Sequence, residues 1–124
     1  MTKFWITLIA MPFVLFALAA PAMADAAAEK LVDDAMPFMY HSCKSVVEEG
    51  NSDVDYIEKV VRALVSVSLY NHEIDISKYA KTDADKTALR DKFVEALGKE
   101  CKRDKDALLA GAIDDAVVTA LALK

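Results

Sequence analysis

The residues best suited to chemistry are Cys43 and Cys101, with His41 two positions before the first of them. A redox pair would sit as C-x-x-C, which this spacing is not. A nucleophilic thiol would need an imidazole beside it, and side chains two positions apart in a helix point to different faces. In an oxidising compartment such a lone pair of thiols closes into a structural disulfide. Met36, Met39, His41 and Cys43 form a cluster of soft donors of the kind that holds copper or zinc. With Cys43 committed to a disulfide, the methionines read as core filler and His41 as a surface residue.

The remaining polar groups read as structural. His72, beside Glu73 and Asp75, reads as a solvated loop residue rather than a base. The pairs Asp53/Asp55 and Asp83/Asp85 lack the glycine and distal glutamate of an EF-hand calcium loop and read as helix starts. Asp114 and Asp115 fall in mid-helix and read as a solvated face, the alternative being that one of them bonds across to another helix. No G-x-S-x-G, H-E-x-x-H or phosphate-loop pattern is present. The chain therefore reads as a non-enzyme with no catalytic, cofactor-binding or metal residues. Its site residues are the disulfide partners Cys43 and Cys101.

The compartment follows from the N-terminus. Lys3 precedes an apolar run from Phe4 to Ala20, and Ala22-Met23-Ala24 obeys the small-x-small rule, so a signal peptide of residues 1–24 is cleaved after Ala24. The rival reading, an uncleaved membrane anchor, is disfavoured by Pro12, Pro21 and the acidic start that follows. Of 124 residues, removal of 24 leaves a single domain of 100, residues 25–124, in the periplasm. Loss of Lys3 from the 15 basic residues leaves 14 against 20 acidic ones, a formal −6. That balance argues against nucleic acid and anionic membrane as partners.

The mature chain is rich in Ala, Leu, Val, Lys and Asp and poor in Gly and Pro, which favours helices. Ala26 to Met36 forms the first, ended or restarted by Pro37. A short helix then carries Phe38, Met39, Cys43, Val46 and Val47, with Gly50 and Asn51 at its end. Ser52-Asp53-Val54-Asp55, an N-cap with acid in the first turn, opens a third helix with the stripe Val54, Ile57, Val61, Leu64 and Val65, widened by Val60, Val67 and Leu69 and ending near Asn71. His72 to Lys81 is a loop with one short turn. Thr82-x-x-Asp85 resembles a capping box ahead of a helix with Leu89, Phe93, Ala96, Leu97 and Cys101 on one face. Asp104 caps a last helix, Lys105 to Leu123. The fold class is all-α, a small domain of four or five helices stapled by one disulfide. That disulfide closes a loop of about 59 residues, worth about 4 kcal/mol by loop entropy.

From Tyr40 to Leu123 the chain resembles the YmgD-like family of small periplasmic proteins. The shared pattern is Ser42-Cys43 in an early helix, a Val-rich middle helix, Cys101-Lys102-Arg103-Asp104, and Leu108-Leu109 followed by Ala112-Ile113-Asp114-Asp115. Its layout is more distantly similar to the HdeA/HdeB acid-stress chaperones, with Tyr40-His41-Ser42-Cys43 where those have Trp-Thr-Cys. The resemblance implies an HdeA-like helical periplasmic domain, and the swing from −6 to +16 when its 20 carboxylates are protonated carries the expectation that it opens at low pH to hold unfolding clients. Partners of that kind are unfolded periplasmic proteins, another periplasmic protein, or a second copy in a homodimer. An alternative expectation is a binding protein of the Tai immunity type that inhibits a cell-wall amidase, its acidic loops at Asn51–Asp55 and His72–Asp83 plugging a basic cleft. A third is an envelope protein of other role.

Overall fold

The computed structural model describes residues 26–123; the signal peptide and its cleavage point lie outside them. Residues 26–35 form α1. A 3-10 turn, Met36–Phe38, follows with Pro37 in its first turn, where a missing N–H costs nothing. Four more helices complete the domain: α2 (Cys43–Gly50), α3 (Val54–Asn71), α4 (Asp83–Arg103) and α5 (Leu109–Ala120), with a second 3-10 turn at Ile76–Lys78. Among the described residues there is no β-strand and no helix long and apolar enough to cross a membrane.

The N-caps are those the sequence predicts for α3 and α4. The Asp53 carboxylate accepts from the Asp55 and Tyr56 N–H groups. Thr82 and Asp85 form a reciprocal capping box. The entry to α2 differs: Phe38 and Met39 lie before the helix, whose cap is Ser42 in a capping box with Ser45.

The last helix is shorter than predicted and is not capped by Asp104. Asp104 instead closes a turn, its carboxylate accepting from Asp106 N–H and its carbonyl from Ala107 N–H. The carbonyls of Lys105 and Ala107, which a helix would bind internally, accept from Lys44 N–H at 2.9 Å and Cys43 N–H at 3.0 Å. In return Leu109 N–H donates to the His41 carbonyl at 2.8 Å, and Ser42 and Leu108 form an isolated antiparallel bridge. Each helix thus supplies partners for the unpaired donors at the start of the other.

The core lies around α5, which packs against α3 and α4. Its Leu109, Ala112, Ile113, Ala116 and Val117 are buried at helical spacing. On α3 the buried line is Val60, Leu64 and Ser68, while Val54 is exposed. The predicted face of α4 points inward, but only Ala96 is buried; Leu89, Phe93 and Leu97 are half-buried.

Helices α3 and α5 both end in Schellman motifs without glycine. Ile74 N–H returns to Leu69 C=O and Glu73 N–H to Tyr70 C=O; Leu123 N–H returns to Val118 C=O and Ala122 N–H to Thr119 C=O. The left-handed residues are Glu73 (φ 55°) and Ala122 (φ 52°). Both are exposed, so neither side chain compensates for the backbone conformation. Glu73→Gly and Ala122→Gly should each stabilise the domain by about 1 kcal/mol, read as a higher urea midpoint at unchanged m-value.

Candidate functional site

The predicted disulfide is present. Cys43, the first residue of α2, is bonded to Cys101, near the end of α4, with Cα atoms 5.5 Å apart. Cys43 is buried, and the bond lies beside the backbone bridge between the starts of α2 and α5.

His41 is not a surface residue. It is fully buried, with 0% of its surface exposed, whereas Met36 and Met39 are the exposed members of the proposed ligand cluster. The cause is the bridge: His41 leads directly into it and its carbonyl caps α5, so the ring is carried inward. Its two nitrogens find hydroxyl groups, Nδ1 with Ser45 Oγ and Nε2 with Tyr56 Oη, both at 2.9 Å. Glu49 Oε2 lies 3.4 Å from Nε2 and accepts from the Tyr40 hydroxyl. That hydrogen bond to a carboxylate is the main reason the Tyr40 phenol is pushed up to about 12. With Cys43 in the disulfide and both His41 nitrogens engaged, the four residues are not gathered as a metal-ligand set.

Ser45, His41 and Glu49 carry the residue types of a hydrolytic triad, with the imidazole between hydroxyl and carboxylate. Ser45 Oγ, however, accepts Ser42 N–H in the capping box, and the buried ring leaves no approach for a substrate carbonyl. The cluster is a satisfied polar plug that joins the bridge to α3.

His72, exposed as expected, and Asp114 are also drawn together, and Asp114 bonds across to α3 rather than standing free on a solvated face. Asp114 Oδ1 accepts from Ser68 Oγ at 2.7 Å and pairs with His72 Nε2 at 2.9 Å. The carboxylate is central, so no base activates the serine; the contact ties the end of α3 to the middle of α5. Asp115 does face solvent.

The feature suited to binding is a groove of about 230 Å³ toward the C-terminal end of α5. Val65 and Leu69 of α3, Leu89 and Phe93 of α4, and Val117 and Leu121 beside α5 form much of it. Ile76 and Ala80, from the segment between α3 and α4, close one end. Lys86 and Arg90 are the polar residues that line it. Leu89 and Phe93 belong to the apolar face predicted for this helix and the 3-10 turn is the short turn expected in the preceding loop, whereas the two cations were not singled out. Their signal is Lys86 and Arg90 at i, i+4 beside that face.

No family model matches the chain, and no curated protein or solved structure matches it. What the molecule does therefore rests on its own geometry.

Two stability measurements check the roles assigned here. Tyr56→Phe removes the nearest partner of a buried imidazole nitrogen and should cost about 1–2 kcal/mol in urea unfolding. Reduction of the disulfide, or Cys101→Ser, should cost about 4 kcal/mol. An unchanged melting temperature under reducing conditions would contradict that structural role.

Proposed function

We propose that the protein is a non-catalytic periplasmic protein that loosens in acid and holds unfolding polypeptides on its exposed apolar faces. The observation that carries this reading is the way one end of the groove is closed. The segment after α3 supplies Ile76 and Ala80 to one end of the groove, beside half-buried Val65, Leu69 and Phe93, and carboxylates fasten both ends of that segment. Asp75 accepts from Ser77 N–H and Oγ, which fixes the 3-10 turn. Asp85 accepts from the Lys81 and Thr82 N–H groups, which fixes the start of α4.

The hydrogen bonds from Ser77, with Lys78 nearby, hold the Asp75 carboxyl below the ordinary carboxylate value of 3.8. Those from Thr82 and then Lys81 do the same for Asp85. Both groups are ionised to lower pH in the folded chain than in the unfolded one. Their contribution to stability is therefore present above about 3.8 and is lost as pH falls through the lowered values. Over the same range the 20 carboxylates neutralise and leave 14 Lys and Arg plus two His, so the mature chain moves from −6 to +16. Self-repulsion then favours the opened form. The disulfide, which does not titrate here, limits how far the chain can separate. The resemblance to the YmgD-like family, and the layout shared with HdeA and HdeB, point the same way.

The protein should suppress aggregation of an acid-unfolded client at about pH 2–3 and leave the same client unaffected near neutrality. An Asp75→Asn, Asp85→Asn variant should be less stable at neutral pH, and its urea midpoint should fall less steeply with acid. Absence of suppression while circular dichroism reports an opened domain would overturn the proposal.

A further inference from the structure

In the folded protein at neutral pH, before any acid opening, the groove has the character of a ligand site. Its floor is apolar and comes from α3, α4 and α5. Its charge is of one sign. Lys86 and Arg90 lie one helical turn apart on α4, both exposed, and neither joins an ion pair among the described residues.

Elsewhere the i, i+4 spacing sets base against acid: Lys30 with Asp34, Lys44 with Glu48, Arg62 with Glu58 and, in α4 itself, Lys99 with Glu95. Two like charges at this spacing destabilise a helix slightly. Here they stand on an apolar groove, in a chain that carries five more acidic than basic residues. Both side chains are long enough to lay their methylenes along the groove wall and keep the charge at its edge.

We propose that the groove binds a single long-chain aliphatic carboxylate, a fatty-acid anion. The alkyl chain lies on Val65, Leu69, Phe93 and Val117, and the carboxylate meets Lys86 and Arg90. The dimensions fit this occupant. The groove, about 230 Å³, is smaller than the roughly 300–1,000 Å³ of drug-sized ligand pockets, which suits one slender chain rather than a bulky ligand. The sign of the edge selects an anion over a neutral or cationic amphiphile.

The test is calorimetric titration of the purified protein at neutral pH with dodecanoate below its micelle-forming concentration. Dodecan-1-ol and dodecyltrimethylammonium serve as uncharged and cationic controls. Dodecanoate should bind once per chain, about tenfold or more tighter than either control. Lys86→Glu with Arg90→Glu should weaken it about tenfold at an unchanged melting temperature, and Ala120→Phe should block it by filling the groove. Equal affinity for the cation, indifference to the charge reversal, or no saturable binding would each overturn the assignment. So would a concentration-dependent dimer abolished by Ala120→Phe, which would give the groove to a second copy. None of these outcomes bears on client holding in acid, so the two proposals fail separately.

Discussion

Two helix starts must be buried at the same place in this molecule. Cys43, at the head of α2, and Leu109, at the head of α5, are both core residues, and a helix start carries amide donors with no partner in their own helix. Burying such donors unpaired would cost about 1–3 kcal/mol each. The antiparallel crossing of Ser42 over Leu108 removes the difficulty for both. Carbonyls from the α4–α5 turn receive the Cys43 and Lys44 donors, and the His41 carbonyl receives that of Leu109. The disulfide then fixes the head of α2 to the end of α4, beside the same turn.

The other features at that end follow from this crossing. The turn after α4 stays open because its carbonyls are committed to α2. Asp104 serves the turn and not the helix. His41 is carried into the core because its backbone is part of the crossing, and its neighbours suit an imidazole in either protonation state. Ser45 and Tyr56 are hydroxyls that can donate or accept, and Glu49 stands behind them.

The local rules were readable in the sequence because they act through residues close in the chain. Asp53, the Thr82/Asp85 box and the end of α3 at Asn71 are decided within a few positions, as are the period of α5 and the inward face of α4. The pairing of Cys43 with Cys101 was readable because there were only two thiols. What the sequence concealed depends on distant partners. Asp114 meets residues 42 and 46 positions away, His41 is placed by backbone donors and acceptors about 65 positions on, and the groove exists only where three helices meet one turn. Residue type alone also fails at His41 and Met36: the imidazole read as a surface group is fully buried, and the methionine read as core filler is exposed.

The two ends of the domain are held by bonds of different chemistry. Around the crossing they are backbone hydrogen bonds, hydroxyl–imidazole contacts and a disulfide, few of which lose their strength when carboxylates are protonated. Around the groove, the segment after α3 hangs on the Asp75 and Asp85 carboxylates, with the His72–Asp114 contact at its near end. Acid therefore acts unevenly on this fold. It weakens the end where the apolar groove lies and spares the end where the chain is cross-linked. On the function proposed above, such a molecule would open from one side, with the disulfide keeping the register needed to close again. Its two polar systems, one at the crossing and one at the groove, are thus mechanically distinct even though the same buried helix, α5, runs between them.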